Sequence, residues 1–174
     1  MSKLKIFLIL TGYQLTWLAC IFGDKNFSEP LIGIIVGTIF ILIYCYYSKD
    51  KKKFIQIILL ISIPGYLFDI LMVYGSVYNF TSIDTIFFLP PWMIILWLSF
   101  ATLFYEVLVF FKNYKIIGVT ISGFAGPITY YLGEPLGIIV ISNYYIFFII
   151  MFLFWSTLMY LYLNFILRFI QYLE

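Results

Sequence analysis

Residues 54–78 read FIQIILLISIPGYLFDILMVYGSVY, directly after three lysines at 51–53. One residue in this stretch is formally charged, Asp69. As a helix it would rise about 37 Å at ~1.5 Å per residue, more than the ~30 Å hydrocarbon core of a bilayer. Working outward, five more apolar segments follow the same plan, at 6–22, 30–47, 91–111, 116–133 and 144–167. Each is near the ~20 residues that span a membrane. Charged or turn-forming residues separate them: Asp24, Lys25, Asn26 and Glu29; Ser48 to Lys53; Asn79, Thr81, Ser82 and Asp84; Lys112, Asn113 and Lys115; and Glu134-Pro135. Pro30 and Pro91 stand where helices start, a position that proline favours.

The basic residues orient this pattern. If every segment spans, Lys3, Lys5, Lys49, Lys51, Lys52, Lys53, Lys112, Lys115 and Arg168 fall on one side, and Lys25 alone falls on the other. Asp24, Glu29, Asp84 and Glu134 lie opposite the basic cluster. Lysine and arginine mark the cytoplasmic side. The expected fold is therefore all-α: a polytopic transmembrane bundle of six spanning helices, with both termini cytoplasmic, in a single integral membrane domain. No internal repeat is evident among the apolar segments.

Composition agrees. The chain of 174 residues is 64% hydrophobic and 10% charged, with a net charge of +2. Its mean hydropathy is +1.08. Average soluble domains are about 45–50% apolar and about 25% charged, and a soluble fold of this size could not hide so much apolar surface. The basic residues sit in short loops rather than in a contiguous stripe, which argues against nucleic acid as a partner. There is no histidine, so histidine-ligated iron, haem and zinc sites and histidine-activated nucleophiles are excluded. Cys20 and Cys45 fall near opposite faces and read as small apolar packing residues. Trp17-Leu18-Ala19-Cys20 faintly resembles a lipoprotein signal. Such a site wants leucine where Trp17 stands, so the first segment is expected to remain an uncleaved helix.

Two acids lie inside apolar segments. A carboxylate within a membrane costs at least a few kcal/mol and marks a functional site by default. Asp69 shares a helix face with Ser62, Tyr66, Val73 and Ser76, and Pro64-Gly65 about one turn below it can bend the helix and release a carbonyl. Asp69 can bind a polar group of a ligand or carry a proton; alternatively it pairs with Gln14, Tyr66 or a backbone group and locks the bundle. Glu106 shares a face with Ser99 and Thr102. It lies near the cytoplasmic end, where a lysine of a cytoplasmic loop can meet it, and reads as a secondary, structural candidate. About 12 Å along the membrane normal separates the two acids, too far for a shared proton.

The fifth segment carries Gly118, Ser122 and Gly126, a small-residue face suited to close helix approach, and Pro127, which interrupts the hydrogen-bond ladder. An interrupted segment of this kind can line a cavity, although plain tight packing is the favoured explanation. Trp92 behind Pro90-Pro91 reads as an interfacial anchor. Trp17 and Trp97 are deeper. With Gln14, Tyr66, Asp69, Tyr130 and Tyr131 they form a candidate ligand-binding set with aromatic walls. No cofactor, no metal-ligand spacing and no nucleophile–base pair is expected.

Several local patterns occur together: Gln14-x-x-Trp17-x-x-Cys20, Asp69, Pro91-Trp92-Met93 with Trp97 and Phe100-Ala101, and Gly123 to Gly133 with its Gly-Pro-x-x-Tyr run, followed by Leu136-Gly137. Together they resemble an uncharacterised family of small bacterial inner-membrane proteins, a domain of unknown function, over nearly the whole chain. The resemblance implies a bacterial inner-membrane, multi-pass location and carries no catalytic residues. It also hints at lipids, because genes of relatives often lie beside those for membrane fatty-acid modification.

Three functions compete. The first is binding or transport of a small, partly apolar molecule or lipid, by a homo-oligomer or with a partner membrane protein. The second is an intramembrane enzyme or accessory subunit in membrane-lipid modification, with Asp69 as acid or base and Tyr66 or Tyr130 assisting. The third is a structural or assembly partner whose polar residues serve packing.

Overall fold

The computed structural model describes residues 3–27 and 29–168. Each apolar segment contains one α-helix: α1 (Lys3–Phe27), α2 (Leu31–Tyr47), α3 (Lys51–Tyr74), α4 (Trp92–Glu106), α5 (Lys115–Tyr131) and α6 (Tyr144–Leu161). A 3-10 turn, Leu108–Asn113, follows α4, and a π turn, Tyr162–Ile166, continues α6. Three helical stretches are long and apolar enough to cross a membrane, Leu4–Phe27, Lys51–Tyr74 and Tyr144–Ile166. Their outward side chains are large and apolar, among them Phe7, Leu67, Leu71, Ile149 and Leu153. In water such surface would drive association.

The helix ends differ from the sequence expectation in ways that local chemistry explains. Asp24, Lys25 and Asn26 do not break α1, which runs on to Phe27; Lys25 falls in its last turn, where a cation suits the carbonyl end of the helix. α3 begins among the lysines because Asp50 caps it. The Asp50 carboxylate accepts the Lys53 N–H at 2.9 Å, and its carbonyl accepts the Phe54 N–H at 3.0 Å. α3 also stops sooner, at Tyr74. There Ser76 N–H bonds the Val73 carbonyl at 3.0 Å and Val77 N–H bonds the Met72 carbonyl at 2.9 Å, the paired bonds of a Schellman cap. Ser76 takes the left-handed conformation at the cap, φ 55°, and so leaves the helical stripe that its spacing suggests.

The chain forms two compact units. The first comprises the residues up to Phe68 with Ser82–Leu108. In it α1 and α2 run antiparallel in close contact: a methyl group at Gly33 would lie 2.4 Å from the Cys20 Cα, and one at Gly37 would lie 2.7 Å from the Thr16 methyl and 2.1 Å from Ile95 of α4. The Thr16 hydroxyl folds back onto the Gly12 carbonyl at 2.9 Å, which leaves its methyl for packing. Trp97 of α4 lies flat enough on α3 that only a glycine fits at position 65. Tyr44, Phe54 and Tyr105 form an edge-on aromatic cluster.

The second unit comprises Asp69–Thr81 and the chain from Val109 on. α5 and α6 pack through Ser122, Gly123 and Gly126. A methyl at Gly126 would meet the Trp155 ring at 2.1 Å, and the Ser122 hydroxyl reaches the Trp155 carbonyl at 3.2 Å. Gly118 meets Phe111 of the 3-10 turn instead of a neighbouring helix. Two short strands, β1 (Tyr78–Phe80) and β2 (Ile139–Ile141), pair antiparallel with Tyr78 opposite Ile141 and Phe80 opposite Ile139. Tyr78, which closes the third apolar segment in the sequence, thus lies beyond α3 and opens a strand that the hydropathy pattern does not predict.

Candidate functional site

Asp69 lies in the last turns of α3 and is fully buried. The Schellman turn at Ser76 reverses the chain just after it, and β1 carries Tyr78 back over the carboxylate. The Tyr78 phenol donates a hydrogen bond to Asp69 Oδ1. The Tyr130 hydroxyl, from α5, lies 2.9 Å from both carboxylate oxygens. The Tyr78 ring, itself fully buried, is tilted against Tyr130 at 5.6 Å and stands edge-on to Phe80 and Phe147 at 5.8 and 5.9 Å. These are favourable aromatic geometries. Burial first, and then the neighbouring Asp69 charge, push the Tyr78 phenol well above the ordinary tyrosine range. Tyr78 therefore keeps its proton and remains a donor. A carboxyl group, two phenols and a wall of aromatic rings make a small polar centre inside apolar surroundings. Such a centre can hold a proton or receive one hydrogen-bonding group of a ligand.

Of the expected ligand-binding set, the structure joins Asp69 and Tyr130 directly. Tyr131 is exposed, with its ring against Tyr144 and Phe148. Gln14, Trp17, Tyr66 and Trp97 belong to the first unit. There Gln14 is exposed and Trp17 half-buried, the Tyr66 hydroxyl donates to the Ile86 carbonyl at 3.3 Å, and Trp97 is buried against Gly65. Pro64 is exposed within α3 and Pro127 buried within α5. Sequence reasoning missed Tyr78 and Phe147. Tyr78 looked like the last residue of a span, and nothing distinguishes Phe147 from other residues of an apolar run.

Glu106 meets a lysine, but it is Lys5 of α1 rather than a loop lysine. The Lys5 ammonium also sits 5.9 Å from the centre of the Tyr44 ring. Ser99 and Thr102, on the Glu106 face, are buried and turn their hydroxyls back onto the carbonyls of Leu96 and Ser99. Among the described residues no cluster of three or more cysteines, aspartates and glutamates could hold a metal ion.

Residues 6–161 match the family described as Protein of unknown function (DUF2878), and the chain belongs to that family. No curated protein and no solved structure matches it.

Proposed function

We propose that this member of the family is a multi-pass protein of the bacterial inner membrane, with six spans and both termini cytoplasmic. In this reading it binds or carries a small, partly apolar molecule or lipid whose polar group is received at Asp69. The observation that carries the proposal is a fully buried carboxylate, the one acidic side chain of α3, held by the hydroxyls of Tyr78 and Tyr130. An acid at that depth is costly to insert, and binding of a polar group offsets the cost. The distribution of lysines supports the topology. A chain this small would work as a homo-oligomer or docked to a partner membrane protein.

The test is mass spectrometry of small molecules and lipids that copurify with the protein, wild type beside Asp69→Asn. The expected result is a species enriched with the wild type and lost in the variant. Equal enrichment in both samples, or none in either, would overturn the reading. A second reading has one observation in its favour: both Asp69 oxygens already receive tyrosine hydroxyls, as a purely packing role requires. In that case Asp69→Asn, which keeps one acceptor oxygen, changes stability modestly and ligand content not at all.

A further inference from the structure

The turn after α3 and the turn after α5 are built alike. In the first, Ser76 is left-handed, its N–H bonds the Val73 carbonyl and the Val77 N–H bonds the Met72 carbonyl; in the second, Gly137 is left-handed with φ 67°, its N–H bonds the Glu134 carbonyl at 2.7 Å and the Ile138 N–H bonds the Gly133 carbonyl at 3.0 Å. Each turn leads directly into a three-residue strand, and the strands pair symmetrically about Asn79 and Val140. Even the flanking bonds match: Ser142 N–H to the Val77 carbonyl at 3.1 Å, and Thr81 N–H to the Ile138 carbonyl at 2.9 Å.

The likeness extends down the helices. Gly65 stands eleven residues before Ser76, and Gly126 stands eleven before Gly137. Both glycines receive a tryptophan ring from the following helix, Trp97 on Gly65 and Trp155 on Gly126, with a built methyl at 2.3 and 2.1 Å from the ring. A proline adjoins each glycine, Pro64 and Pro127. Asp69 lies seven residues before its turn and Tyr130 seven before its own. The two residues that share the central hydrogen bond therefore occupy equivalent positions. Segments interrupted by glycine and proline at corresponding places of two repeats mark the binding site in membrane carriers.

We infer that α3–β1 and α5–β2 are two copies of one helix–turn–strand arm, and that the Asp69 carboxylate, where the copies meet, receives a hydrogen-bond-donating head on an apolar tail in place of the Tyr130 hydroxyl. The inference rests on the ligand-binding reading above and names the residue that yields. Tyr130 is half-buried, whereas Tyr78 and Phe147 are fully buried, so Tyr130 is the member of the cluster with room to leave. Pro127 has no N–H to offer the Gly123 carbonyl, so the turn of α5 that carries Tyr130 lacks one restraint that an ordinary helix has. Hydroxyl and amine heads share the required chemistry, and the test separates them.

The experiment measures binding of dodecanol and dodecylamine to the purified full-length protein in lipid nanodiscs, for wild type, Tyr130→Phe and Asp69→Asn. Tyr130→Phe keeps the ring and deletes the competing hydroxyl. Affinity for at least one probe should rise on the order of tenfold, and the probe preferred identifies the head group. Adding Asp69→Asn to Tyr130→Phe should abolish that gain. Thermal melts of the same samples confirm that each variant is folded. Unchanged or weaker binding to Tyr130→Phe overturns the inference. If wild type nevertheless retains a copurified species that Asp69→Asn loses, the ligand-binding reading survives without it. If neither probe binds any variant and no species copurifies, both fall.

Discussion

Replacing Tyr78 by phenylalanine isolates the hydroxyl that the turn after α3 delivers to Asp69. The ring is fully buried and makes its contacts with Phe80, Tyr130 and Phe147 through carbon, so the variant keeps the packing and removes one donor. A buried hydrogen bond to a charged group contributes about 1.5–3 kcal/mol, and bonds between segments of membrane proteins average nearer ~0.6 kcal/mol. Asp69 keeps the Tyr130 hydroxyl 2.9 Å away, which limits the penalty for a partly satisfied carboxylate. The expected loss is therefore about 1–2 kcal/mol. It is measured by unfolding the purified protein in detergent, in a double-mutant cycle with Asp69→Leu. In the Asp69→Leu background the acceptor is gone, and Tyr78→Phe should cost close to nothing. The coupling should be at least ~0.5 kcal/mol, the lower end for residues in contact. Equal effects of Tyr78→Phe in both backgrounds would refute the argument that Tyr78 acts through Asp69.

Three further outcomes are expected. Ser76→Gly should stabilise the protein by about 0.5–1 kcal/mol in the same melts, because a left-handed side-chain residue costs ~1–2 kcal/mol and glycine returns part of that as unfolded-state entropy; destabilisation would mean that the Ser76 side chain contributes something the cap geometry does not. Gly126→Ala puts a methyl 2.1 Å from the Trp155 ring and should cost about 1–3 kcal/mol as overpacking, checked by the melting midpoint against Ser122→Ala, which should cost less. For the proposed topology, single cysteines replacing Lys51 and Asp84 in a Cys20→Ala/Cys45→Ala background should react with an impermeant maleimide from opposite sides of the membrane; labelling of both from one side would rule out the six-span arrangement.

Much of this architecture is legible in the residues. Six apolar runs become six helices because a run of that length has one stable way to satisfy its backbone away from water. Asp69 stands out for the same reason, since a lone acid at such a place demands partners. The partners themselves are not legible. Tyr130 was within reach because the Gly-Pro run draws attention to its turn. Tyr78 was hidden: Val77-Tyr78 continues the apolar run of α3, and a three-residue strand is too short to show an alternating pattern. The cap that separates helix from strand rests on Ser76, and serine gives no signal for a left-handed residue where glycine would. The matching of the two arms escaped notice because equivalent positions hold different residues, aspartate against tyrosine and serine against glycine. It is the backbone hydrogen bonds that repeat.

The order in which the Asp69 partners appear along the chain has a consequence for biogenesis. Tyr78 follows Asp69 by nine residues, and Tyr130 comes much later. At ~5–20 residues per second, the ribosome makes Tyr130 roughly 3–12 s after Asp69. On the proposed topology, a nascent α3 would leave the insertion machinery with its carboxyl group attended by a single phenol, the one carried on the adjacent turn. Tyr78 acts as an escort supplied by the same stretch of chain, and Tyr130 is a late arrival that completes the shell once the fifth helix is in place. Removing the Tyr78 hydroxyl should therefore lower the yield of inserted protein more than removing that of Tyr130, even where the finished molecules are equally stable.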